Sequence, residues 1–262
     1  IVFSGVGKKY DEIKFAVNKN ILLINAESVS EIKEIEAIAK SLNRRIKVGI
    51  RLNPDTDAKT LSSISTGKKE NKFGVNTHQL RSILENYKNS KYLDFACLSV
   101  HIGSQITSHK PYEKMLKVIQ KNINYSKHHF EFIDLGGGMG IKYDRKDRIL
   151  NYTKYKNLIK KFLDKNNSKI IFEPGRSIIG DTGVLLSKII YIKRMNKINF
   201  VIMDAGMNDL MRPALYGAKH NIIPTKKNNT KFQKKHEFVG PICETTDKFL
   251  TKANFQKLKE ND

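Results

Sequence analysis

Short runs of β-branched residues alternate with amphipathic helical segments up to Arg176 of this 262-residue chain. Six runs predict strands: Ile1–Ser4, Ile21–Asn25, Ile46–Leu52, Leu98–Ile102, Phe132–Leu135 and Ile170–Phe172. Helices are predicted over Glu113–Ile123, over Tyr152–Leu163 and after Ser28, whose spacing to Glu31 matches a capping box. This alternation predicts an α/β fold with a parallel sheet that helices cover on both faces.

Glycine and polar side chains follow nearly every predicted strand. These segments are Asn25 to Ser28, Arg51 to Pro54, His101 to Gln105, Gly136 to Gly140 and Glu173 to Arg176. A TIM barrel places its active site at that end of every strand, whereas an open doubly wound sheet uses one crevice. The sequence therefore predicts a partial TIM (β/α)8 barrel. Six of the eight required strands are visible, so about two are expected upstream of Ile1.

The pattern changes after Arg176. Two runs, Val184–Lys193 and Phe200–Met203, predict strands without helices between them. We therefore predict a barrel domain over residues 1–182, incomplete at its N-terminus. Part of a β-rich domain, a β-sandwich or β-barrel, is predicted over residues 183–262. Because the chain starts without a methionine and stops after a Lys/Glu/Asn stretch, we expect it to be an internal piece of a longer protein.

Composition argues against several classes of protein. The net charge of +22 comes from scattered lysines, without a basic helix or zinc finger, and indicates compositional drift more than nucleic-acid binding. No apolar run approaches the roughly 20 residues that span a bilayer, and no signal peptide is recognisable. The two cysteines, Cys97 and Cys243, form neither a metal-ligand pair nor a disulfide framework. We expect a cytoplasmic protein without a metal site.

The glycine run after Asp134 and the serine and histidine after the preceding predicted strand suggest a ligand. Successive glycines in Gly136–Gly140 let backbone N–H groups approach an anion such as phosphate, although a tight turn without a ligand is the alternative. The run is not a P-loop, because no Lys-Ser/Thr pair follows it. His101 could stack on a flat cofactor ring and Ser104 could donate to phosphate; a structural histidine is the alternative.

Two carboxylates need partners. Glu173 at the end of a buried strand is costly unless paired, and it could hold the protonated ring nitrogen of an electron-sink cofactor or form a salt bridge with Arg176. Glu244 follows Cys243, a pair that could hold a cation and donate a proton; a buried cysteine at a strand end is the alternative.

Separately, Arg212 and Tyr216 are either binding groups or parts of a surface loop.

The order of these motifs is more specific than any one of them. The strings HIGSQ, DLGGGMG, EPGR, DAGMNDLMRPALYGA and GPICETTD follow one another as in the diaminopimelate decarboxylase family, which this chain resembles from Ile1 to at least Asp247. Ornithine and arginine decarboxylases share the GGG and EPGR features. The MRPALYGA and CETTD strings are more particular to the diaminopimelate branch.

The resemblance implies a barrel of the alanine racemase type followed by a β domain, with pyridoxal 5'-phosphate as cofactor. The implied cofactor contacts are Ser104, Gly136, Gly137 and Gly138 at the phosphate, His101 and Glu173 at the ring, and Gly175 and Arg176 beside them. The implied substrate contacts are Arg176, Arg212, Tyr216 and Glu244. Cys243 and His101 are the implied catalytic residues, and Cys243 would return a proton after carbon dioxide leaves. Cys243 and Glu244 would complete the partner's site in a homodimer that converts meso-2,6-diaminopimelate to L-lysine.

One departure from the family pattern leaves alternatives open. The family's cofactor lysine lies in a Tyr-Ala-x-Lys-Ala strand upstream of Ile1, so the isolated chain is expected to be inactive. Lys252 and Ala253 match part of that motif, but they lie after the CETTD string and not upstream of Ile1. Lys252 is therefore interpreted as a surface lysine. Decarboxylases of ornithine, arginine or carboxynorspermidine, an amino-acid racemase and a non-catalytic barrel homologue are the rival interpretations. Arg176 and Arg212 together favour a substrate with a distal carboxylate.

Overall fold

The computed structural model describes residues 1–55, 72–144, 146–228, 230 and 234–262. The chain divides into two compact units, and each has its own sheet. Unit 1 comprises Ile1–Ile141 and Arg148–Asp181, and unit 2 comprises Lys142–Asp147 and Thr182–Asp262. The sequence did not indicate that a short segment around residue 144 belongs with the second unit. Within the described part, no helix has the length and apolarity that crossing a membrane requires.

Unit 1 is a six-stranded, wholly parallel sheet in the order β1-β2-β3-β4-β5-β6. Its strands are β1 (Val2–Phe3), β2 (Leu23–Ala26), β3 (Ile46–Arg51), β4 (Leu93–Ser99), β5 (Phe132–Asp134) and β6 (Lys169–Ile171). Its helices are α1 (Tyr10–Asn18), α2 (Val29–Ser41), α3 (Thr77–Asn86), α4 (Lys110–Ser126), α5 (Tyr152–Leu163) and α6 (Arg176–Ile179). The predicted alternation of parallel strands and helices is confirmed.

Local sequence signals explain α2 well. Its apolar stripe, which includes Ile32 and Ile35, is fully buried against the sheet. The Ser28 hydroxyl accepts a hydrogen bond from Glu31 N at 3.2 Å, as a helix cap should. The reciprocal half of the capping box differs, because the Glu31 carboxylate accepts from Glu27 N and from Lys8. The Glu31 side chain, which the sequence suggested to be a local helix cap, thus also forms a long-range ion pair with Lys8.

Unit 2 contains a four-stranded sheet in the order β10-β9-β8-β7, with β8 and β9 parallel and the other pairs antiparallel. Its elements are β7 (Ile189–Arg194), β8 (Ile198–Met203), α7 (Arg212–Tyr216), β9 (Lys235–Val239) and β10 (Lys248–Lys252). The predicted strand from Val184 was wrong over its first half, where Val184 is 95% exposed and no strand pairs with it. The short helix α7 was also missed, although Pro213 near its start and left-handed Gly217 just after its end are typical signals.

Candidate functional site

A cavity of about 240 Å³ lies at the carboxyl ends of the strands of unit 1. The side chains that line it are Ser4, Arg51, Ser99, His101 and Glu173. Each ends a strand or follows one within two residues, on β1, β3, β4 and β6. Parallel barrels place their active sites at this edge. Of the sequence-predicted residues, the fold therefore brings His101 and Glu173 to one cavity.

The glycine run after β5 lets three strand-end loops approach one another. A Cβ atom on Gly137 would lie 2.2 Å from the carbonyl oxygen of Glu173, and one on Gly138 would lie 2.2 Å from the carbonyl oxygen of Gly103. Gly138 also has φ +88°, a conformation that side chains disfavour. Close backbone approach therefore requires these two glycines, and it joins the loop after β5 to those after β4 and β6.

The hydrogen bonds of this run limit how it could hold a phosphate. Gly136 N donates to the Asp134 carboxylate at 2.8 Å, and Gly137 N donates to Nδ1 of His101 at 3.2 Å. Among the described residues, the Gly138 N–H has no such acceptor. Half-buried Ser104 lies in the loop that bonds to Gly138 O. Gly138 and Ser104 are thus the groups best placed to donate to an anion.

The Glu173 carboxylate is held at one oxygen only. Its Oε1 accepts a short hydrogen bond of 2.5 Å from the Ser4 hydroxyl, whereas Oε2 accepts none from the described residues. Among the described residues no salt bridge joins Glu173 to Arg176, whose guanidinium donates to the side chain of Gln105 at 3.0 Å. Gly175 is exposed at the start of α6. Glu173 therefore presents an open carboxylate oxygen.

Burial and a neighbouring cation keep His101 neutral. Burial and, as a smaller contribution, the positive charge of Arg51 together lower the pKa of His101 to about 4. Arg51 itself forms a buried ion pair with Glu27 at 2.6 Å and lies 4.6 Å from the ring centre of Phe73. Because Nδ1 of His101 accepts from Gly137, the single ring proton lies on Nε2. A neutral, immobilised imidazole is suited to packing against a flat ring.

Asp134 is the second carboxylate of the site, and its side chain is completely buried. Burial, reinforced by the charge of Glu173, raises the pKa of Asp134 to about 6. Its Oδ2 accepts from Asn25 at 2.8 Å and from Ser99 at 3.3 Å. Sequence reasoning gave no role to Ser4, Asn25, Arg51 or Ser99. The only signal for Ser4, Asn25 and Arg51 was their position at the ends of predicted strands, whereas Ser99 was the second residue of the predicted strand Leu98–Ile102.

The remaining predicted residues belong to unit 2. Arg212 and Tyr216 are the first and last residues of α7. The Arg212 guanidinium donates to the Tyr143 hydroxyl at 2.5 Å and lies 4.9 Å from the centre of its ring. Cys243 and Glu244 are exposed on the turn between β9 and β10. The alternative interpretation of Cys243 as a buried cysteine at a strand end is therefore wrong.

The cavity of unit 1, together with the glycine turn that bonds to its His101, fits a pyridoxal cofactor in the chemistry of these groups. An open carboxylate oxygen suits a protonated ring nitrogen, a neutral imidazole suits the ring face, and a glycine turn with a serine suits a phosphate. Fold and site define a pyridoxal-binding α/β domain. Residues 1–180 match the family model described as "Pyridoxal-dependent decarboxylase, pyridoxal binding domain", and the chain belongs to that family. Pyridoxal phosphate as cofactor is thereby confirmed.

Relatives within this family are similar over nearly all of the chain. The diaminopimelate decarboxylase of Helicobacter pylori is 41% identical over 266 residues, covering 100% of this chain and 65% of that protein. The Aquifex aeolicus enzyme of the same name is 40% identical over 94% of this chain and 59% of its own length. The chain thus spans less than two thirds of the length of these relatives.

Solved structures agree with the sequence relatives. The H. pylori diaminopimelate decarboxylase complexed with L-lysine superposes with a TM-score of 0.90 at 40% identity, covering 100% of this chain and 66% of that one. The M. jannaschii diaminopimelate decarboxylase with L-lysine gives 0.88 at 33% identity, covering 100% and 62%. The prediction of a partial barrel followed by a β-rich unit is confirmed. The two further strands expected upstream stay a prediction.

Replacing Gly137 by alanine is expected to destabilise unit 1 by about 2 kcal/mol, because its Cβ would overlap a backbone oxygen that no rotamer change can move. Urea unfolding followed by circular dichroism measures this change. Gly7→Ala is the matched control, since a Cβ at Gly7 meets nothing within 4 Å. Its stability should change by less than about 1 kcal/mol. Equal stabilities of the two variants would show that the loops do not approach as closely as described.

Proposed function

We propose that this chain is part of a diaminopimelate decarboxylase, which converts meso-2,6-diaminopimelate to L-lysine and carbon dioxide in the last step of lysine biosynthesis. The observation that carries the proposal is the open Oε2 of Glu173 beside neutral His101 in one cavity. The similarity over the whole chain to enzymes of that name supports the choice of substrate.

The described residues suggest how the cofactor is held. Bound pyridoxal phosphate supplies an electron sink for the bond to the departing carboxylate. Glu173 bonds the ring nitrogen, and its negative charge keeps that nitrogen protonated. His101 lies against the ring. Ser104 and the turn Gly136–Gly138, which offers the N–H of Gly138, hold the phosphate. Gly175 and Arg176, on the loop that carries Glu173, complete these contacts.

Substrate recognition is proposed for Arg176, Arg212, Tyr216 and Glu244. The Arg212 guanidinium is stacked on Tyr143 and hydrogen-bonded to it, so its planar fork is already ordered. Such a fork matches a carboxylate. Diaminopimelate has a carboxylate at its distal end, whereas ornithine and arginine have a cation there. Arg212 therefore favours diaminopimelate over the substrates of the rival decarboxylases.

Cys243 is proposed as the group that returns a proton after carbon dioxide leaves, with Glu244 beside it to hold the substrate. Both side chains are exposed, so a second subunit can reach them. We propose that they complete the partner's site in a homodimer. A cytoplasmic location is also proposed, which agrees with two free cysteines, Cys97 and Cys243.

The test compares the 262-residue chain with a chain extended to the full length of its relatives. The shorter chain is expected to form no detectable L-lysine, because none of the side chains that line the described cavity is a lysine that could anchor the cofactor. The extended chain should release carbon dioxide from meso-diaminopimelate and not from ornithine or arginine. Turnover of ornithine at a similar rate would assign the chain to a sibling enzyme. Cofactor binding without turnover of any substrate would favour the non-catalytic homologue.

A further inference from the structure

A chain of hydrogen bonds runs behind the cavity from one carboxylate to the other. The Asn25 amide nitrogen donates to the Ser4 hydroxyl oxygen at 3.0 Å and to Oδ2 of Asp134 at 2.8 Å. The Ser4 hydroxyl in turn donates to Oε1 of Glu173. Asn25 is 0% exposed. Residues that are 169 positions apart in sequence, Ser4 and Glu173, thus join two strands on opposite edges of the described sheet.

The direction of every hydrogen in this chain is determined by Asn25. An amide nitrogen has two hydrogens and accepts none, so both are used by Ser4 and Asp134. Because the Ser4 oxygen already receives one of them, its own hydrogen points to Glu173. The neighbouring backbone leaves room for this arrangement, since a Cβ on Gly49 would lie 1.9 Å from Oδ1 of Asn25.

The far end of the chain is also fixed. Oδ1 of Asp134 accepts from Gly136 N at 2.8 Å, so the same carboxylate that anchors Asn25 anchors the glycine turn. The turn and Glu173 are therefore oriented by one continuous set of bonds. All donors of this network are satisfied, whereas Oδ1 of Asn25 is buried without a hydrogen-bond partner among the described residues. The bonds to Ser4, Asp134 and Gly136 N restrain both ends of the network, and a restrained support is what a binding group needs.

We propose that Ser4 and Asn25 are positioning residues that act through Glu173, holding one oxygen of its carboxylate so that the other receives the ring nitrogen of the cofactor. The inference rests on the proposed function and deepens it. Without the Ser4 hydrogen bond the Glu173 carboxylate could rotate, and the preference of the site for a ring nitrogen would fall. Binding at the phosphate would not change.

The experiment measures dissociation constants of the extended chain, freed of its own cofactor, by calorimetry for two ligands. One is pyridoxine 5'-phosphate, which has no aldehyde and does not react with the many surface lysines of the chain. The other is its deaza analogue, in which a CH group replaces the ring nitrogen. Ser4→Ala should raise Kd for pyridoxine phosphate about 10-fold and leave Kd for the analogue within about twofold. Ser4→Thr, which retains the hydroxyl, should bind both like the wild type.

A spectroscopic signature accompanies the affinities. The ultraviolet band of the protonated pyridine ring should persist to higher pH in the wild-type complex than in the Ser4→Ala complex. Asn25→Leu, which has a similar volume and no donor, should behave like Ser4→Ala. Thermal melting of each variant monitors folding. If the Asn25 variant does not fold, the comparison of Ser4→Ala with Ser4→Thr still tests the inference.

The results that would contradict the inference differ from those that would contradict the proposed function. Equal losses of affinity for both ligands in Ser4→Ala would show a merely structural role and overturn the inference alone. A wild type that binds both ligands equally would also overturn the inference, because no ring-nitrogen contact would exist to support. A wild type that binds neither ligand would overturn the proposed function as well.

Discussion

Replacing Glu173 by glutamine is expected to lower kcat/KM of the extended, cofactor-loaded enzyme by about 100- to 1,000-fold. The glutamine side chain is neutral and cannot keep the ring nitrogen protonated. The hydrogen bonds behind it make the effect larger, because the Ser4 hydrogen selects the amide oxygen as its acceptor. The amide NH₂ of the new residue then faces the cofactor and, as a donor, favours the unprotonated ring. Affinity for the cofactor should change far less than turnover.

Steady-state decarboxylation rates and the ring-protonation band test this expectation. Glu131→Gln is the matched control. Glu131 precedes β5, at the end of the strand opposite the cavity, and pairs with Lys47 and Lys169 near the surface. Surface ion pairs contribute at most about 1 kcal/mol to stability, and Glu131 does not line the cavity. The decarboxylation rate of Glu131→Gln should therefore stay within about twofold of the wild-type rate. Glu173→Asp, which keeps the charge and shortens the side chain, should fall between the two. If Glu173→Gln retained a tenth of the wild-type decarboxylation rate, Glu173 would not be the group that contacts the ring nitrogen.

Elements with strong local signals could be predicted closely from the sequence. Helix α5 begins and ends at the predicted residues, Tyr152 and Leu163, because a clear apolar period and the Asn151 cap determine it locally. Strand β4 was predicted from Leu98, whereas it begins at Leu93. The charged Asp94 separates Leu93 from the apolar run in sequence, but the buried residues 95–97 continue that run and were left out of the prediction. The strand also ends at Ser99, before the predicted Ile102.

The site was predictable in its centre and not in its supports. His101 and Glu173 stand in recognisable motifs, so their meeting at one cavity was expected. Ser4 ends an apolar strand segment without a motif, and Asn25 was named only as the start of a polar segment that follows a strand. Their role depends on hydrogen bonds across 169 and 109 positions of sequence, which no local pattern encodes. The glycine turn was identified, but the internal acceptors of its N–H groups were not, because those acceptors come from folding.

Fully buried Asp134 and half-buried His101 should give the stability of unit 1 opposite dependences on pH. The pKa of Asp134 is raised from its usual 3.8 to about 6, so the folded state holds the proton more tightly than the unfolded state. Between about pH 4 and 6, stability therefore falls as pH rises, by about 3 kcal/mol. The pKa of His101 is lowered from its usual 6.5 to about 4, so the unfolded state binds the proton more tightly. Stability then rises with pH over nearly the same window, by a similar amount.

The two contributions nearly cancel in the wild type, and single substitutions should reveal them. Relative to wild type, the free energy of unfolding of Asp134→Asn should increase by about 3 kcal/mol between pH 4 and 7, because the falling contribution is removed. For His101→Gln the difference should change by a similar amount in the opposite direction. Urea unfolding in steps of pH measures both. Lost packing or hydrogen bonds shift each curve by a constant, so only the slope of the difference is informative. A flat difference for Asp134→Asn would mean that this carboxyl titrates alike in the folded and unfolded states, which its complete burial beside Glu173 contradicts.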